Sequence, residues 1–252
     1  MTASEGEDRS VLNTHSISYD SYETMAEYYY ESIDTKPFNA YYERPATLSL
    51  LPPVKGLKVL DAGCAAGWYS EWLLKQGAQV TALDFSPNMI AMTKKRLGEG
   101  QADIIRADLN EPLSFLSDAV MDIVLSSLTL HYIKSWEVPM AEFRRVLKPS
   151  GTLVFSVHHP FMDFSVFNRK NYFLTEMITD EWETDTGKVK VQFYRRPLAK
   201  IISSVIAAGF VIEKLLEPMP TEKFKDNQPQ IYERLTQNPH FLFIKATKKS
   251  TI

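Results

Sequence analysis

A single cysteine, Cys64, stands among 252 residues, so no intramolecular disulfide can form and a reducing, cytoplasmic address fits. With no companion thiol, a cysteine-histidine zinc site is excluded as well, and no metal is expected. Nowhere do about 18 apolar residues run consecutively, the length a helix needs to span a bilayer. The stretch Met1 to Ser10 is polar and acidic and lacks the basic-then-apolar order of a secretory signal. There is no basic excess: 28 Lys and Arg against 31 Asp and Glu leave a net charge of −3, which disfavours nucleic acid as a partner. A Gly-x-Ser-x-Gly elbow, the mark of a serine hydrolase, is missing too.

Only ten glycines occur, yet two of them, Gly63 and Gly67, fall inside the stretch around which the chain is organised. Lys58-Val59-Leu60-Asp61 reads as a short buried strand ending in an acid. Gly63-Cys64-Ala65-Ala66-Gly67 is a turn of small residues, and Trp68 onward opens a helix. Such a turn lets backbone approach a ligand closely, with Asp61 as a fixed acceptor beside it. A pyrophosphate site would want Gly-x-Gly-x-x-Gly with no acid at its mouth, and a P-loop would want Gly-Lys-Ser/Thr; neither is present.

Val59-Leu60-Asp61-Ala62-Gly63-Cys64-Ala65-Ala66-Gly67 resembles the first motif of class I S-adenosylmethionine-dependent methyltransferases, Asp-x-Gly-x-Gly-x-Gly, and departs from it at Ala65. The spacing predicts that Ala65 keeps a negative φ, since positive φ strains a residue with a Cβ. Further along, Asp122 to Ile133 and Arg145 to Ser156 also resemble this family, above all its ubiquinone and menaquinone branch.

From Leu57 strand and helix patterns alternate, as in a mostly parallel sheet covered on both faces. Strands are expected at 58–61, 79–84, 103–107, 121–126, 152–157, 209–216 and 242–247. Helices are expected at 67–76, 87–97, 138–147 and 197–208. The resemblance implies a Rossmann-like α/β fold with seven strands, the last one antiparallel. One domain is expected: a disordered tail at 1–15, a helical cap at 16–53, the cofactor-binding core at 54–160, a lid at 161–196, and a C-terminal helix and strands at 197–252. In the cap, Tyr22, Met25, Ala26, Tyr29 and Ile33 follow helical spacing, and Phe38 to Leu51 reads as a second helix stopped by Pro52-Pro53. In the lid, Tyr172 to Thr184 and Val189 to Arg195 read as an antiparallel pair about Asp185-Thr186-Gly187. An insert at the carboxyl ends of such a sheet lies over the ligand crevice; an edge used for dimerisation is the alternative.

Asp84 closes the second strand, 23 residues after Asp61, where an acid accepts hydrogen bonds from a ribose diol. NAD and S-adenosylmethionine both carry such a diol. Phe85 and Met89 are placed to flank an adenine. The resemblance implies that Asp108 and the Leu109 amide meet the adenine edge and that Gly63, Ala65, Gly67 and Ser126 belong to the cofactor site. It also implies a role for Arg44 on the carboxylate of the cofactor's amino-acid end, with turn capping as the plainer role for Asp108. Tyr22 and Tyr29 are candidates to close over a sulfonium by their ring faces. Tyr172, Trp182 and Arg195 are candidates to line a substrate site.

Methyl transfer from a sulfonium asks chiefly for alignment, with a base only where the acceptor must lose a proton. His131, His158 and His159, at carboxyl ends of strands, are the candidates for that base, with a hydrogen bond to a backbone carbonyl in the turn as the plainer role for His131. The resulting expectation is S-adenosylmethionine-dependent methylation of a small organic acceptor by a monomer or homodimer, leaving S-adenosylhomocysteine. The alternatives are a catalytically silent cofactor-binding domain that acts through a protein partner, or an RNA or protein methyltransferase.

Overall fold

The computed structural model describes residues 18–184 and 187–249. The expected tail at 1–15 and Asp185-Thr186 of the expected turn lie outside the described residues. The strands are β1 (Lys58–Ala62), β2 (Gln79–Asp84), β3 (Asp103–Arg106), β4 (Met121–Ser127), β5 (Leu147–His158), β6 (Glu176–Thr184), β7 (Gly187–Arg195), β8 (Phe210–Leu216) and β9 (Phe241–Lys248). Seven of them form one sheet in the order β3-β2-β1-β4-β5-β9-β8. The neighbours from β3 to β5 pair in parallel, and β9 runs antiparallel to both β5 and β8. The expected seven-stranded Rossmann-like sheet is therefore present, and its order reverses between β1 and β4, where a crevice opens in such sheets.

Strand alternation divides the core between the two faces. Leu60, Val124, Leu153 and Phe155 are buried on one side; Val59, Ile123, Leu125 and Val154 are buried on the other. Each central strand thus reads as a continuous apolar run, as a parallel strand covered on both faces must.

The helices are α1 (Tyr19–Ser32), α2 (Arg44–Leu50), α3 (Trp68–Lys75), α4 (Pro87–Leu97), α5 (Glu137–Val146), α6 (Pro160–Val166), α7 (Leu198–Ala207), α8 (Glu222–Asn227) and α9 (Pro229–Leu235). Local chemistry sets their ends. Ser86 Oγ accepts from the Met89 amide with Pro87 at the first helical position, and Gly98 at φ 77 stops α4. Among the described residues, no helix is long and apolar enough to cross a membrane.

Four departures from the expected elements have local causes. Phe38 to Leu51 is not one α-helix: Asn39–Glu43 winds as a wide π turn before α2, which turns the Glu43 side chain into the interior. β5 starts at Leu147 because Leu147 already pairs with Met121 before the ladder shifts register. β6 starts at Glu176 and not at Tyr172, since Arg195 draws the carbonyls of Asn171, Tyr172 and Leu174 around its guanidinium. The short helices α6, α8 and α9 are additions to the expected set, too brief for their periodicity to stand out.

The β6–β7 hairpin rests on α1 through Ile178, Val191, Phe193 and Met25. Arg195 is fully buried and also binds Glu176 at 2.8 Å. Replacing one member of a buried, hydrogen-bonded pair leaves the other uncompensated. Arg195→Met is therefore expected to cost about 3 kcal/mol in urea unfolding and to speed amide exchange across β6 and β7. Unchanged exchange there would remove Arg195 as the hairpin's anchor.

Candidate functional site

A crevice of about 550 Å³ lies across the carboxyl ends of β1 to β5, lined in turn by Gly63 and Ala65, Asp84 and Phe85, Asp108 and Leu109, Thr129, and His158. At its first end Asp84 takes two amide bonds, Ala65 N–H on Oδ2 and Ser86 N–H on Oδ1, both at 2.9 Å. Burial pushes the Asp84 carboxyl up to about 6 against those amides. Phe85 lies beside it, edge-on to Tyr19 at 5.2 Å. Asp108 does cap its own turn, with Oδ1 accepting from Asn110 N and Nδ2 at 2.8 Å, and it faces the crevice as well.

The turn after β1 depends on its two glycines. Gly63 has φ 89, and a Cβ there would run into the Thr129 side chain. Gly67 has φ 77, with Thr93 Cγ2 at 2.9 Å from where its Cβ would sit; it opens α3 and does not line the crevice. Ala65 departs from the expected negative φ: it is left-handed, at φ 47. Hydrogen bonds on both sides impose this, its N–H going to Asp84 and its carbonyl accepting from Thr93 Oγ1 at 2.6 Å.

Several expected site residues are turned away from the crevice. Asp61 is buried behind the turn and accepts from Ser70 Oγ at 2.6 Å. Burial pushes its carboxyl up to about 7, with the Asp84 charge adding and the Ser70 bond opposing. Met89 packs in the core with Ala26 and Ala66, and Ser126 spends its hydroxyl on the Ala62 carbonyl at 2.9 Å. Tyr172 stacks on Phe161 at 5.1 Å and accepts from the Leu198 amide, while Arg195 is locked in the hairpin. Arg44 donates to the carbonyls of Ile33 and Asp34 and stacks on Trp68 at 3.9 Å. It lines a small side cavity that shares Gly63 and Ala65 with the crevice.

Glu43 lines the same side cavity and has no signal in the sequence. Its carboxylate, 1 % exposed, accepts from Thr47 Oγ1, Ser127 Oγ and Ser156 Oγ on one oxygen and from Tyr69 Oη on the other, at 2.6 to 2.8 Å. Its partners lie as far as 113 residues away along the chain.

The crevice's second end is aromatic. The Tyr22 and Tyr132 hydroxyls meet at 2.7 Å, and burial raises both phenols above the ordinary value. Tyr29, Phe193 and Trp182 complete the wall, the Trp182 Nε1–H donating to Asp180 at 3.0 Å and Lys36 Nζ lying 5.0 Å over its ring. His131 and His158 stack with their centroids 4.1 Å apart. Burial first, then His158 and Arg196, lowers the His131 pKa well below the ordinary imidazole value. His240, unforeseen in the sequence, also lines this end, with burial holding its pKa down to about 3.

The family described as "Methyltransferase domain" matches residues 60–155. An uncharacterized protein of Haemophilus influenzae is 31% identical over 244 residues, covering 87% of this chain and 92% of its own. The solved S-adenosylmethionine-dependent methyltransferase of Mesorhizobium loti is 26% identical with a TM-score of 0.66, covering 81% of this chain and 97% of that one. The chain belongs to the class I S-adenosylmethionine-dependent methyltransferases. A malonyl-[acyl-carrier protein] O-methyltransferase of Serratia marcescens is 35% identical over 101 residues, which is 40% of this methyltransferase but only 38% of the relative's length.

The cofactor of this methyltransferase is S-adenosylmethionine, and the residues present fit it. Asp84 offers an acceptor in the crevice, and Gly63, at φ 89 and packed on the Thr129 side chain, leaves its backbone bare at the crevice wall. Two expected outcomes check the turn. Ala65→Gly relieves a left-handed alanine and should raise stability by about 1 kcal/mol in urea unfolding, with no loss of S-adenosylhomocysteine affinity. A loss of stability would mean that the left-handed turn carries no strain.

The Asp61 carboxyl holds its proton in the fold up to about 7, whereas its ordinary value is 3.8. Between those values the folded state binds the extra proton, so this group's contribution falls as pH rises through the window. Asp61→Asn keeps an acceptor for Ser70 without the charge. Relative to wild type it should gain stability between pH 4.5 and pH 8, by up to roughly 4 kcal/mol from the linkage relation. A difference that stays flat with pH would contradict the raised value.

Proposed function

We propose that this methyltransferase methylates a small organic acceptor held at the aromatic end of the crevice, with a histidine as base where the acceptor must lose a proton. One observation carries the reading: Asp84 and Phe85 line the same cavity as Tyr22, His131 and His158. Two reactants placed in one cavity meet with most of their translational freedom already lost, and alignment of this kind is the main demand of the reaction.

Bound S-adenosylmethionine supplies a methyl group on a sulfonium, whose departure leaves a neutral thioether. In this reading Asp84 accepts from the ribose diol, with Phe85, Asp108 and Leu109 about the adenine. Gly63 and Ala65 give the backbone its close approach. Arg44 faces the carboxylate of the amino-acid end and Glu43 its ammonium, an opposed pair of buried charges lining the small side cavity. Tyr22, Tyr29 and Trp182 orient the acceptor, and the insert 161–196, as a lid, excludes water. The chain acts as one domain, as a monomer or homodimer.

Mass spectrometry of a cytosolic metabolite pool incubated with the protein and S-adenosylmethionine tests the proposal. Products heavier by one methylene are expected in the small-molecule fraction; methylation confined to RNA or protein would overturn it. Calorimetry tests the cofactor end separately. Asp84→Ala should weaken S-adenosylhomocysteine binding by about 2 to 4 kcal/mol, the cost of losing hydrogen bonds to a charged group. Wild-type affinity should fall as pH drops below the Asp84 value of about 6, where the acceptor becomes protonated. Equal affinity for NADH would reopen the dinucleotide assignment.

A further inference from the structure

We propose that His158 and Asp163 form a proton-accepting dyad, which makes the acceptor a neutral hydroxyl compound, phenolic or enolic, and not a carboxylate. The inference deepens the reading under Proposed function and rests on it. Two sealed, unpartnered atoms point to it: His158 Nδ1 and Asp163 Oδ1, 3.6 Å apart. Asp163 is 2 % exposed. Leaving both atoms unsatisfied is costly, and hydrogen bonds of this kind are long in ligand-free sites and tighten in the reacting complex.

The local sequence builds this contact. β5 delivers His158 to the crevice, and His159 then caps α6, its Nδ1 accepting from Phe161 N at 3.2 Å and its Nε2 held by Glu217 at 2.6 Å. The Asp163 amide donates to the His159 carbonyl at 3.1 Å, which fixes the carboxylate near the His158 ring. On the other sides His158 meets the neutral His131 ring at 4.1 Å and the His240 ring at 6.4 Å.

His131 is unsuited to the task, because both of its ring nitrogens are sealed and without partners. His158 has only Nδ1 sealed, which leaves Nε2 to face the crevice. A proton held on Nδ1 by Asp163 makes Nε2 the basic atom and stabilises the imidazolium that forms. As the acceptor oxygen bonds to the methyl carbon, the carbon–sulfur electron pair passes to sulfur, and the O–H proton goes to His158 Nε2. Asp163 keeps its charge throughout and acts as a positioning residue. A carboxylate acceptor has no proton to give and would leave the dyad without work, whereas the walls of Tyr22, Tyr132, Phe193 and Trp182 suit a flat hydroxylated ring.

Nitrogen-15 histidine spectra of the protein with S-adenosylhomocysteine, assigned with His158→Gln, read the dyad directly. His158 is expected as the Nδ1–H tautomer in wild type and as largely Nε2–H in Asp163→Asn and Asp163→Ala. An Nε2–H wild type, or a tautomer unmoved in both variants, overturns the proposal. Calorimetry on the same samples should give S-adenosylhomocysteine affinities equal to wild type; failure of wild type to bind would instead defeat the cofactor reading, independently of the tautomer. Among products of the metabolite search, methyl ethers are expected, formed at least about 100-fold more slowly by His158→Gln. Methyl esters formed at the full rate by that variant would also overturn it.

Discussion

One buried carboxylate, Glu43, ties the N-terminal cap to the sheet. A carboxylate taken from water is sustained only when its lone pairs are bonded. Hydroxyls from α2, α3, β4 and β5 bond both of its oxygens. The π turn cannot leave the sheet without stranding that carboxylate, while α1 is held separately, by Met25 against the hairpin and by Ala26 against Ala66 and Met89. Exclusion of water from the aromatic end raises the Tyr22 and Tyr132 phenols and lowers the His131 and His240 imidazoles.

The crevice divides its tasks along its length. At one end the turn after β1 is held by backbone geometry, with Gly63 and Gly67 admitting no side chain and Asp84 fastening Ala65. At the other end Tyr22 and Tyr29 come from the cap, Tyr132 from the segment after β4 and Phe193 from the hairpin, elements packed against one another, while His158 comes from the end of β5. The methyltransferase family match at residues 60–155 takes in the turn after β1, Asp84 and Asp108, and leaves the cap and the hairpin outside it.

The sheet and its flanking helices were legible because short continuous apolar runs, helical spacing and capping residues carry that information locally. That Asp84, Phe85, Asp108 and Gly63 line the crevice was legible because strand ends in this fold point at it. Orientation within a strand end was not. Ser126 turns into the core while its neighbour Ser127 faces the crevice, a difference of one residue in strand phase. Tyr172 and Arg195 were read as binding groups from residue type, but closing the hairpin consumed them. Glu43 and Asp163 were invisible for a different reason: their roles arise from partners that only the folded chain assembles.

The crystal structure of the complex with S-adenosylhomocysteine tests the central claim most directly, because it places both ends of the crevice at once. The ribose hydroxyls should lie within hydrogen-bond reach of Asp84, the amino-acid end beside Glu43 and Arg44, and the sulfur toward Tyr22 and His158. An adenosine bound elsewhere, or a sulfur walled off from the two histidines, would contradict the account.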